Sequence, residues 1–157
     1  MMDDLEKPTL KLTEFIPERA LDTTPIPNTM TFRVLLSHLA SSMLDAENFF
    51  LNDEWRPPVP DEEKSKEKSK EDLIQEIRDG HAAIRECYDK MTQDFFETKF
   101  KELPWGSKGT IEHLSVSMLY NHQIHHKMQL FLYLKALSIE LDTGTLYFGM
   151  EPGEMKM

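Results

Sequence analysis

Between Thr110 and Ile139 the chain runs without a proline or a glycine, and its apolar residues recur at intervals of three and four. Such a run reads as one helix long enough to span a domain, so the rest of the chain must supply partners for its buried face. Thr110 offers an N-cap, and Glu112 places a negative charge in the first turn, where the helix dipole favours it. At about 100° per residue, Ile111, Leu114, Met118, Leu132 and Ala136 share one face. His122, His125 and His126 fall within or beside that stripe, as do Gln129 and Tyr133, whereas His113 falls nearly opposite and reads as a surface residue. The apolar face therefore turns polar at its middle, in the segment NHQIHHKMQ from Asn121 to Gln129.

Polar groups on a core-facing stripe need partners, because burying an imidazole without one costs on the order of 1–3 kcal/mol. Protonating several neighbouring imidazoles is no remedy, since their charges repel in a medium of low dielectric constant. A divalent metal removes both problems by accepting neutral nitrogen lone pairs. Four-residue spacing stacks His122 above His126 on one helix face, which makes half of such a site. A lone buried histidine more often bonds a backbone carbonyl. Two further histidines lie on core-facing stripes of other helices and are candidates for a third ligand: His38 and His81.

Elsewhere the periodicity predicts a helix from about Thr29 to Leu51, with Phe32, Leu35, Leu36, Leu39, Met43, Ala46 and Phe50 on its buried side and His38 at the stripe's edge, in a row with Ser42, Asp45 and Phe49. Trp55-Arg56-Pro57-Pro58-Val59-Pro60 ends that helix. Asp61 to Lys70, DEEKSKEKSK, alternates charges, holds nothing to bury and reads as a solvated loop. Ser69 with Asp72 makes a capping arrangement for a helix running to about Glu97, where Gly80, Ala82 and Ala83 allow a neighbour to come close. A short first helix is expected between Pro8 and Pro17, a turn-rich connection over Leu103 to Gly109, a turn at Asp142 to Thr145, and beyond it a tail folding over the bundle. The outcome is three long amphipathic helices and a shorter one, in a single all-α domain over residues 1–157.

The chain has 157 residues, of which 39% are hydrophobic and 29% charged, enough for one core and a soluble surface. With 28 acidic against 18 basic side chains its formal charge is −10. No segment gathers the basic footprint that phosphate neutralisation requires, so nucleic acid is excluded as an expected partner. No apolar run has membrane-spanning length and the start lacks the features of a secretion signal; together with a single cysteine, Cys87, this gives a cytoplasmic expectation. Cys87 has no CxxC partner and reads as a buried structural thiol.

Familiar catalytic motifs are absent. HExxH needs a glutamate after the first histidine as general base, and Gln123 stands there instead. Neither a G-x-S-x-G elbow nor a glycine-rich phosphate loop occurs.

The series LLSHLA, a proline break, W-G ahead of T-x-E-H-L, then NHQIHHKMQLFLYLKAL resembles the DinB family of metal-binding four-helix bundles, grouped with YfiT-like metal-dependent hydrolases. The resemblance covers roughly residues 29–149, with a first helix short for the family. It implies a ligand set of one histidine from the second helix and two from the last, here His38, His122 and His126, with His125 a non-ligand neighbour. Lys127-Met128 stands where many members carry arginine and glycine. The resemblance further implies a divalent transition metal, zinc or nickel first and iron or copper after them, since imidazole suits all four. It also implies a small-molecule substrate such as a low-molecular-weight thiol, a reaction of thiol S-transfer or hydrolytic type, and a homodimer. The alternative is a non-catalytic, stress-associated binding protein whose metal ties helices together; a plain bundle with mutually bonded histidines is a third reading. The motif supplies no general base.

Overall fold

A computed structural model describes residues 3–52 and 61–155. Its long helices are α1 (Asp3–Glu14), α2 (Phe32–Asn52), α4 (Lys70–Asp89) and α7 (Asn121–Ala136). Shorter ones are α3 (Asp61–Ser65), α5 (Gln93–Thr98), α6 (Ile111–Leu114) and α8 (Thr143–Phe148), with a two-stranded hairpin, β1 (Phe100–Glu102) and β2 (Lys108–Thr110), before α6. The four long helices close a ring: α1 packs on α4, α4 on α2, α2 on α7 and α7 on α1. This is the expected all-α bundle. Its core is built from Leu12 and Ile16 of the α1 region, Phe32, Leu36, Leu39 and Met43 of α2, Leu73, Ile77 and Ile84 of α4, and Leu130, Tyr133 and Leu134 of α7. Removal of this apolar surface from water is the main force holding the ring together.

The tightest pairing joins α2 and α4. A Cβ on Gly80 would lie 2.9 Å from Met43 Cε and 3.1 Å from the Ala40 carbonyl oxygen. Of the three small residues read as a close-approach surface, Gly80 is the one at the contact, while Ala82 is exposed. The Gly80→Leu variant is expected to lose about 1–3 kcal/mol or more through overpacking, read as a fall in the urea midpoint; an unchanged midpoint would show that the two helices have room to part.

Several boundaries differ from the expectations. Pro8 lies inside α1 rather than at its start; a proline there removes only one donor from the ladder, and its buried ring is absorbed by packing. Helix α4 stops at Asp89, and α5 begins anew with Thr92 accepting a hydrogen bond from the Phe95 N–H. The capping box at Ser69 and Asp72 forms as expected. Asp142 caps α8 where only a turn was expected, and Gly149, with φ 61°, ends it with its backbone tight against Lys7 of α1. The proline-rich break from Trp55 to Pro60 lies outside the described residues.

The long run from Thr110 is helical throughout but not uniform. Thr110 caps it as expected, accepting from the His113 N–H, and Ser115–Tyr120 then forms a π-helical turn between α6 and α7. A π turn holds more than four residues, so the positions beyond it lag by about one residue. This explains a displaced stripe: Leu132 and Ala136, projected inward on regular geometry, are exposed, while Tyr133 and Leu134 are fully buried.

Candidate metal centre

The site forms where α2, α3 and α7 meet. His38 projects from α2, and His122 and His126 from successive turns of α7. His38 Nε2 lies 3.0 Å from His122 Nε2, and His126 Nε2 lies 3.1 Å from the same atom. Among the described residues these three form the one cluster of histidine, cysteine or carboxylate side chains with metal-ligand spacing. The remaining histidines stand apart: His81 is fully buried on α4 and outside the cluster, while His113 and His125 are exposed.

Hydrogen bonds fix how the rings face one another. The Met30 carbonyl can only accept, so the Tyr133 hydroxyl donates to it at 2.9 Å and accepts from Gln129 Nε2 at 2.7 Å. Gln129 therefore turns its carbonyl oxygen to His126 Nδ1, 2.9 Å away, and that nitrogen carries the proton. On the opposite side Asp61 Oδ2 lies 2.7 Å from His38 Nδ1, which fixes the same tautomer there. In the neutral rings both Nε2 atoms are then bare lone pairs, and both face His122 Nε2. A proton on His122 Nε2 can be donated to one of them and leaves the other lone pair without a donor.

Protonation gives no relief at neutral pH. Burial, reinforced by repulsion from His126 and His38, pushes the His122 imidazole down to about 4. Burial likewise holds His126 below its ordinary value, against the opposing effect of the hydrogen bond it donates to Gln129. Three imidazole nitrogens converging on one point, each outer ring oriented from behind by an oxygen acceptor, is the donor arrangement that suits a divalent ion.

Asp61 is the residue of this cluster's surroundings that the charge pattern concealed. Its segment is not a solvated loop: α3 turns Asp61 inward, its side chain only 16% exposed, and Ser41 Oγ donates to its other oxygen at 2.9 Å. Burial acts to raise this carboxyl, but the hydrogen bonds from His38 and Ser41, with the attraction of Lys64, outweigh it and hold the group below its ordinary value. Its position directly after Pro60, at a helix start, was the available signal. Gln123, which excluded the protease motif, has a structural role: its buried amide donates to the Leu39 carbonyl and to Ser42 Oγ, clamping α7 to α2 beside His122.

A cavity of about 300 Å³ opens beside the cluster, and His38, His122 and Trp105, which is carried on the hairpin turn, form part of its wall. Phe49, Phe50, Leu103, Met118 and Leu119 contribute apolar side chains to that wall. Lys101 anchors the hairpin to α2 through a 2.8 Å hydrogen bond to the Phe49 carbonyl. Lys127, at the position of family departure, is buried against Tyr147 of α8, its ammonium 5.5 Å from the ring centroid, and is absent from the cavity wall. Cys87 is buried on α4; burial pushes its thiol up to about 11, which leaves it unreactive, as expected for a structural cysteine.

Fold and site together define a four-helix bundle with an inward-facing histidine triad beside an apolar cavity. The chain belongs to the DinB superfamily, whose family model matches residues 1–130. That match begins at α1, which the motif resemblance left outside, and it includes all three histidines. A DinB-like protein of Bacillus subtilis, YjoA, known from its crystal structure, is similar over 88% of this chain and 90% of its own, with a TM-score of 0.64 and 18% identity. At that identity the likeness concerns the fold. No curated protein matches the chain. Among the described residues no helix is long and apolar enough to cross a membrane.

Proposed function

We propose that His38, His122 and His126 hold one divalent transition metal, and that the adjoining cavity presents a small molecule to it for thiol S-transfer or hydrolysis. The observation that carries this reading is the convergence of the Nε2 atoms, with Nδ1 of both outer rings tied back to Asp61 and Gln129. The separations of 3.0 and 3.1 Å suit nitrogens sharing one ion at bond lengths of about 2.0–2.1 Å. When bound, such an ion supplies Lewis acidity and lowers the pKa of a water or thiol that it holds. The chain's own residues do the rest. Asp61 and Gln129 keep the outer imidazoles in the ligating tautomer, Gln123 fixes α7 against α2, and the apolar wall excludes bulk water from the reacting end.

An open site is favoured over a closed structural one. A structural metal needs a fourth protein ligand; neither His81 nor Asp45 joins the cluster, and the cavity reaches two of the three rings. Protein purified without a histidine tag and loaded with zinc or nickel is expected to hold one ion per chain by elemental analysis. Absence of stoichiometric metal, together with a His122→Ala variant unaltered in metal uptake and stability, would overturn the reading.

A further inference from the structure

The cavity's charge pattern says what kind of molecule fits beside the triad. Among the described residues its wall contains no lysine or arginine. It does contain Asp45, on α2 two helical turns beyond His38 and on the same face, so the two residues stand about 10 Å apart along the axis. Asp61, the other carboxylate of the wall, is occupied by His38 and Ser41. Asp45 is half-buried and accepts no hydrogen bond from a described residue; burial pushes its carboxyl up, the longer-range attraction of Lys64 opposes this, and the charge of Asp61 adds to it. A carboxylate held in an apolar cavity without a donor is ready to receive one from a ligand.

We infer that the cavity binds largely apolar molecules bearing a hydrogen-bond donor, best an ammonium group, that Asp45 receives, and that it discriminates against carboxylates and phosphates. The inference rests on the triad reading for what happens at the far end, but the charge preference follows from the wall alone. Anionic ligands meet two carboxylates and, among the described residues, no lysine or arginine on that wall, so their desolvation is unreturned. An amine is matched at Asp45 while its hydrocarbon body lies against Phe49, Phe50 and Met118. The ammonium sits two turns from the metal end, where Asp61 also offsets the ion's charge. Asp45 is thus a specificity residue and not a metal ligand.

Phenethylamine, phenethyl alcohol and hydrocinnamate share one hydrocarbon body and differ in the head group. Titrated calorimetrically into the full chain, once zinc-loaded and once stripped with a chelator, they separate recognition by the wall from ligation of the metal. In the stripped protein the amine is expected to bind about tenfold more tightly than the carboxylate, with the alcohol between, the discrimination expected of one partly desolvated charge contact. Asp45→Asn should bring amine and alcohol to within about twofold of one another, and Ala46→Trp, which fills the cavity, should abolish binding of the amine. Circular dichroism checks that both variants fold. The inference fails if no probe binds, if the carboxylate binds the stripped protein as tightly as the amine, if Asp45→Asn leaves the order unchanged, or if Ala46→Trp leaves the amine bound. Absence of zinc uptake with the amine preference intact would overturn the metal reading and leave this one standing.

Discussion

Replacing His126 by alanine is expected to weaken zinc or nickel binding by more than about 100-fold, beyond the 10–100-fold that loss of an outer partner of a metal ligand produces. The neighbouring His125→Ala should leave the affinity within about twofold, since its exposed ring is no ligand and acts on the site only through a solvent-screened interaction. The two residues are adjacent in sequence and chemically identical, so the contrast isolates geometry. His126 Nε2 lies 3.1 Å from His122 Nε2 with its other nitrogen tied to Gln129, whereas His125 points to solvent. Thermal melts read the same difference. Free metal at about 100 times its dissociation constant stabilises the folded chain by about 2.7 kcal/mol, which raises the midpoint of a protein of this size by roughly 5–10 °C. A chelator should reverse that rise in the parent protein and in His125→Ala, and have nothing to reverse in His126→Ala. Equal metal-dependent shifts in the two variants would mean that the triad is misassigned.

How the sequence revealed this site follows from the range of the forces involved. Three- and four-residue periodicity located α2, α4 and α7 because each buries a continuous apolar stripe, and the capping side chains at Ser69 and Thr110 act over a few residues and are legible locally. The pairing of His122 with His126 needs only helix geometry. The choice between His38 and His81 did not follow from periodicity, because both lie on core-facing stripes; the family motif selected His38, and the fold sets His38 beside α7 and His81 elsewhere. The π turn at Ser115–Tyr120 is not legible for a related reason: its residues carry ordinary helical propensities, and its consequence, the rotation of Leu132 and Ala136 to the surface, depends on tertiary packing. Trp105 and Leu103 read as turn residues, and their place on the cavity wall depends on how the hairpin folds back on α2.

Asp61→Asn is expected to lower metal affinity by about 10–100-fold without touching a ligand. The carboxylate acts on His38 in two ways: it accepts the hydrogen bond from Nδ1–H, which leaves the Nε2 lone pair free, and its negative charge favours a cation at that lone pair. Asparagine retains an acceptor of the same shape, so His38 can hold its tautomer while the charge is lost. The size of the effect in Asp61→Asn therefore measures the electrostatic part, and the additional loss in Asp61→Ala measures the orienting part. Competition against a chromophoric chelator gives both numbers. Asp61 also anchors α3 through Ser41 Oγ, so a urea midpoint on the metal-free variants separates folding from ligation. Parent-like affinity in both variants would mean that His38 keeps its orientation without α3, and the segment that reads in sequence as a run of solvated charges would then have no part in the site.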